Sequence, residues 1–281
     1  MNEKEFLARY RAEDFDRLSL AVDAVIFGVE TDLAEESVKK PDRPRLKILL
    51  VKRREHPFRG LWSLPGGFVG LNETLEDAAF RVLGVKTGLS GLYLEQLYTF
   101  GEPKRDPRTR VVSCAYLALV DKTVCSPDAP VNGDKDWFSI VFDQKSSLLT
   151  LSSGKEELAL PLREERRLLG RVMEMRWLVD GPSPLAFDHA AIILSALSRI
   201  RGKADYTDLV FSLMPETFTL SHLMTVYEII LGEKLLPAAF RRKIMDKVVP
   251  TEDFVRHKKF RPGRLFRYKG ADGESLNGGN L

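Results

Sequence analysis

The chain has 281 residues, 44% of them apolar and 30% charged, the balance of a folded globular protein long enough for about two domains. Its N-terminus, MNEKEFLARYRAEDFDR, is charged throughout, and nowhere do about 18 apolar residues run without charge, so a cytoplasmic protein with no membrane partner is expected. The formal net charge is only +3, yet 12 basic and 3 acidic residues fall between Lys234 and Lys269, a stripe suited either to a polyanion or to a solvated basic face.

In chain order, the β-branched runs LAVDAVIFGV (20–29) and LKILLV (46–51) read as strands, separated by a loop with Pro41 and Pro44. The stretch KRREHPFRGLWSLPGGFV follows, punctuated by Gly60, Pro65, Gly66 and Gly67. A helix is predicted from about Leu75 to Lys86 with Ala78, Ala79, Val82 and Leu83 inward, then strands at 92–100, 111–120 and 137–142 and a hairpin from Leu148 to Leu160. Cys114 falls in an apolar run and Cys125 in a polar loop, with no metal-ligand spacing.

Around Gly181–Pro184 the pattern changes. Asp188 is placed to cap the helix AAIILSALSRIRG; a short helix over 205–214 and a longer one from an N-cap at Thr219 or Ser221 to Gly232 follow. After the turn GEKLLP comes AAFRRKIMDK, with Phe240, Ile244 and Val248 inward and Arg241, Arg242, Lys243 and Lys247 outward. A hydrophobic helix, a turn with glycine and a basic helix make a helix-turn-helix pattern. The β-compatible pieces around HKKFRPGR add a basic wing carrying Lys258, Lys259, Arg261 and Arg264. These eight basic residues are the candidate contacts to double-stranded DNA, mostly at phosphates, with one or two arginines free to read guanine. A helical bundle with a basic surface is the alternative.

The segment GGFVGLNETLEDAAFRVLGVKTGL (66–89) resembles the Nudix box, G-x5-E-x7-R-E-U-x-E-E-x-G-U with U aliphatic. Gly67, Glu73, Arg81, Leu83, Gly88 and Leu89 match in register, whereas the three glutamate positions hold Val82, Val85 and Lys86. In the box those glutamates share one helix face and hold Mg²⁺ or Mn²⁺ through hard oxygens. Two valines supply no ligand, and an ammonium repels the cation. No catalytic residue or metal ligand is therefore assigned, and the chain is not expected to be an enzyme. Glu73, Glu76 and Asp77 could form a displaced carboxylate site, but Thr74 with Asp77 three residues on reads as a helix cap.

The box together with HPFRGLWSLPGGFV, GEPKRDPR, DKDWFSI, FDHAAIILSALSRIRGKADYTDL, FTLSHLMTVYEIILGEKLLPAAFRRKI and RPGRLFRY resembles the Nudix-related, NrtR-like transcriptional regulators, best known as repressors of NAD metabolism. The resemblance implies an α/β then mostly α chain: a Nudix-like α/β/α sandwich with a mixed sheet over 1–181 and a winged helix-turn-helix domain over 182–281. It also implies an effector such as ADP-ribose or a related nucleotide, operator DNA as partner, a homodimer and no cofactor. Within the first domain Arg53, Arg105 and Arg108 would take the diphosphate, Phe58 would stack, and Asp106 would hold ribose hydroxyls. His56 reads as a loop residue, and Trp62 and Trp137 as core. A Nudix hydrolase with other metal ligands and a helical accessory domain is the runner-up, and a nucleotide-binding module without DNA contacts comes third.

Overall fold

The protein is described by a computed structural model covering residues 2–30, 45–87, 93–121, 134–255 and 263–271. Cys125, Lys258, Lys259 and Arg261 lie outside the described residues, as do the side chains of Val85 and Lys86.

A short exposed helix α1 (Glu3–Arg9) precedes β1 (Ser19–Glu30), β2 (Arg45–Lys52), β3 (Trp62–Ser63), β4 (Gly66–Phe68) and α2 (Leu75–Thr87). Then come β5 (Tyr93–Phe100), β6 (Val111–Asp121), β7 (Lys135–Asp143), β8 (Leu148–Ser152), β9 (Glu157–Leu169) and β10 (Val172–Val179). All ten strands form one sheet in the order β10-β9-β8-β7-β2-β1-β6-β5, with β3 and β4 paired onto β2 and β1. It is mixed, because β1 and β6 run parallel while the other pairs are antiparallel.

Strand alternation divides β1 between two cores. Val22, Ala24 and Ile26 pack with Ala78, Ala79, Val82 and Leu83 of α2, while Val25, Phe27 and Val29 join the larger cluster on the opposite face. Burial on both faces explains the continuous apolar run in the sequence. The second face is covered by α3 (His189–Ala204), which packs against β1, β5 and β10. The junction before α3 is pinned to the sheet, with the Ala186 N–H donating to the Trp62 carbonyl at 2.8 Å.

The expected short helix over 205–214 is a single 3-10 turn, Leu209–Leu213. Its apolar residues Leu209, Val210, Phe211 and Leu213 are all buried, and filling the gap beside β6 on every side leaves no helical polar face. Next come α4 (Leu220–Leu231) and α5 (Pro237–Ile244), then β11 (Val248–Val255) and β12 (Gly263–Tyr268), which pair as an antiparallel hairpin. Thr219 caps α4 by accepting from the His222 N–H, and Gly232 ends it in the left-handed region at φ 76°. The basic helix stops at Ile244, and Met245–Lys247 continues as a 3-10 turn. Phe240, Ile244 and Val248 are buried, the inward set expected from spacing.

Candidate functional site

Retained parts of the box build a rigid loop. Arg81 donates to both carboxylate oxygens of Glu73, Nε at 2.8 Å and Nη2 at 2.6 Å, and Nη2 also reaches the Phe68 carbonyl. The Gly70 N–H donates to Glu73 as well. The Arg81 bond and then the Gly70 amide hold the Glu73 pKa down at about 2, so this clasp stays charged through the whole range in which proteins fold. Asp77 closes a reciprocal cap with Thr74, the hydroxyl donating at 2.8 Å and the Asp77 N–H returning to the hydroxyl. Among the described residues no cluster of side chains fits a divalent cation: Glu73 is taken up by Arg81, Asp77 by the cap, and Val82 packs among Val22, Cys114 and Tyr116.

Beside this loop lies a cleft of about 600 Å³. On its exposed side the Arg53 guanidinium sits 4.7 Å over the Phe187 ring, anchored by Nε donating to the Pro57 carbonyl at 2.7 Å. Arg108 lies 5.4 Å from Phe68 and 5.9 Å from Phe187. Burial, then the Arg108 charge, lowers the Arg53 pKa, against the opposing pull of Asp106, Glu55 and Asp23.

The buried side is an ionic network. Arg105 forks onto Asp188, Nε at 2.8 Å and Nη2 at 2.6 Å, and Nη2 reaches Asp23 at 3.2 Å. Asp23 also accepts from the Ser113 hydroxyl at 2.6 Å and faces His189 Nε2 at 3.5 Å. The Leu64 N–H donates to His189 Nδ1, which leaves Nε2 as the protonated nitrogen of a neutral ring. Burial keeps the His189 pKa below the ordinary imidazole value against the pull of Asp23. Because the unfolded chain holds this proton more tightly, acidification through the imidazole range favours unfolding. Gly66 is obligatory here, since a Cβ would fall 2.2 Å from Asp23 Oδ1.

The five residues expected from sequence are thus placed differently from one another. Arg53, Arg105, Asp106 and Arg108 all line the cleft. Arg105 is committed to Asp188 and Asp23, and Asp106 to Arg108, whose Nε and Nη2 bond its two oxygens at 3.0 and 2.7 Å. Phe58 does not line the cleft; it packs edge-on against Phe187 at 4.8 Å, and the aromatic residues that line the cavity are Phe68 and Phe187. Asp23, Asp188 and His189 were missed, although the last two lie in FDHAAIIL, where Asp188 was expected to cap. It stands at the N-cap position but makes no capping bond, because its carboxylate is drawn to Arg105. Phe187 at φ 54° and its contact partner Phe58 at φ 62° are a further sign of the site, one that sequence cannot show.

A second concave surface of about 340 Å³ lies between the start of α4, α5 and the hairpin, lined by Arg241 and Arg264 among others. On α5, Arg241 and Arg242 are exposed, whereas Lys243 pairs with Asp205 at 3.1 Å; in the turn after it Lys247 pairs with Asp208 at 2.5 Å. Arg264 is exposed and donates to the Thr251 carbonyl.

A family model described as the NrtR DNA-binding winged helix domain matches residues 210–268, and one described as the NUDIX domain matches residues 39–145. The chain is 33% identical over 95% of its length, and 88% of the relative's, to the ADPR responsive transcriptional repressor NtrR of Acinetobacter baylyi. The chain belongs to the NrtR family. Shewanella oneidensis NrtR, solved in complex with a 27mer DNA, superposes with a TM-score of 0.64 at 31% identity, covering 89% of this chain and 93% of that one. A MutT/nudix family protein from Enterococcus faecalis gives a TM-score of 0.70 at 27% identity, over 96% of this chain and 94% of that one. The two expected folds, a Nudix α/β unit with a mixed sheet and a winged helix after it, are both present. Among the described residues of this NrtR-family chain, no helix is long and apolar enough to cross a membrane.

Proposed function

We propose that this chain is a transcriptional repressor of NAD-metabolism genes that binds operator DNA through its winged helix and is regulated by ADP-ribose or a related nucleotide. Sensing is assigned to residues 1–181 and DNA binding to 182–281, with α3 in contact with both, and the working unit is a homodimer matching a two-fold operator. The observation that carries this reading is the joining of a Nudix cleft to a winged helix in one chain similar over 95% of its length to an ADPR responsive repressor. Arg53 and Arg108 flank the cleft with the charge a diphosphate needs, and Phe187 offers a ring for the base.

The Nudix unit acts as a sensor and not as a hydrolase. Glutamates are absent at Val82, Val85 and Lys86, and an effector cleaved on binding reports its own concentration poorly. With excess Mg²⁺ or Mn²⁺, ADP-ribose should yield no AMP above background; turnover of about 1 s⁻¹ or more would reverse this assignment in favour of a hydrolase. A gel shift with the promoter of its own operon tests the regulator itself, and no retarded band would sink it.

On the DNA face, Arg241→Ala or Arg242→Ala is expected to weaken operator binding by about 1–3 kcal/mol if either reads a base. Lys258→Ala, Lys259→Ala and Arg261→Ala should weaken all sequences alike and flatten the salt dependence by about one unit of slope. Lys243 and Lys247 must first leave Asp205 and Asp208, so their alanine variants should lose less. Titrations at several salt concentrations distinguish these cases; unchanged affinity for every variant rejects the face.

A further inference from the structure

The strand β10 ends the sheet, and among the described residues nothing pairs with its outer edge. Together with β9 it reaches past the core as a hairpin arm, and large apolar side chains crowd its end: Leu168 is 63% exposed, Val172 67%, Met173 60% and Met175 56%. Unprotected apolar edges of this kind are adhesive, and folded proteins generally shield them. Here the shielding charges are of both signs and alternate along the strand, Glu174 and Arg176 flanking Met175.

The geometry points to this edge as the docking surface for a second copy of the chain, the two β10 strands pairing antiparallel about a two-fold axis at Met175. An antiparallel two-fold pairing must set one residue opposite its own copy, and the charges choose which. Centred on Glu174 the strand would oppose two glutamates, and centred on Arg176 two arginines. Centred on Met175, Glu174 of each copy faces Arg176 of the other at two places, and Met173 faces Trp177. Arg176 is also paired with Glu165 of its own chain, to which its Nε donates at 2.8 Å. Joining the edges satisfies both rows of backbone donors and acceptors and covers Leu168 and Met173, which stand opposite each other on one face of the arm.

This inference names the surface behind the homodimer proposed above, and charge exchange tests it by sedimentation equilibrium on the full chain at micromolar concentration. Glu174→Arg sets arginine against arginine twice, and Arg176→Glu sets glutamate against glutamate twice; each should self-associate at least roughly tenfold more weakly than wild type. Met175→Asp, which opposes two carboxylates on the axis, should be monomeric. Mixing E174R with R176E should restore a dimer of mixed composition, because every cross-strand pair is then of opposite sign. Wild-type circular dichroism and a cooperative melt show that the exposed substitutions leave the fold intact, while Tm itself falls with the loss of the dimer. Dimers of wild-type strength in E174R and M175D, or no mixed dimer, overturn the surface while leaving a homodimer standing; a monomeric wild type overturns both.

Discussion

Arg105→Ala should destabilise the folded chain by about 3–5 kcal/mol, lowering Tm by roughly 10 °C, because it strands buried Asp23 and leaves Asp188 without its fork. The substitution removes one cation from a site holding two carboxylates and a neutral imidazole, and buried Asp23 has little solvent around it to replace that cation. Arg108→Ala provides the contrast. Its side chain is 45% exposed, and buried Asp106 keeps the bond from the residue 108 amide when the guanidinium is removed, so Tm should fall less than in Arg105→Ala while ADP-ribose binding weakens. Thermal melts and calorimetric titration of the two variants separate scaffold from ligand contact. A loss below about 1 kcal/mol for Arg105→Ala would show that the network is not under the load assigned to it.

Saturating ADP-ribose should change operator affinity by about 5- to 150-fold, and operator DNA should change ADP-ribose affinity by the same factor, since coupling between sites is reciprocal. Release is the expected sign. The physical route is α3, whose 16 residues span roughly 24 Å. Its first residue, His189, lines the cleft, and just beyond its last residue Asp205 holds Lys243 of the basic helix. Along the way it packs on α4, and Arg201 donates to the Ile230 carbonyl near the end of that helix. A tilt of α3 on ligand binding would therefore be passed to both helices of the DNA-reading unit. Operator affinity measured with and without ADP-ribose at fixed salt decides this; equal values reject ADP-ribose as effector, and NAD, NADH and nucleotide sugars are then tested in turn.

The elements of the fold were legible because their signals are local. The continuous apolar runs of β1 and β6, the Thr74–Asp77 cap, the Thr219 cap and the glycine ending α4 each depend on residues within a few positions, and all are found in place. The site was less legible because its partners are distant in sequence. Arg105 looks like a ligand arginine until Asp23 and Asp188, 82 and 83 residues away, are brought onto it. Likewise Phe58 sits in the expected loop, but it is Phe187, carried in from the junction before α3, that joins Phe68 in lining the cleft. Lys243 and Lys247 also read as free cations until the turn after α3 supplies their aspartates.

The Glu73–Arg81 clasp bears on how such a protein can arise. Loop shape in this box rests on Gly67, Glu73, Arg81 and the Gly70 amide, none of which is a position where a metal-binding glutamate is missing. Scaffold and chemistry are therefore carried by separate letters of the same motif. An ancestor could shed its hydrolytic carboxylates one at a time, each step silent for folding, and arrive at a receptor whose cleft had never lost its form.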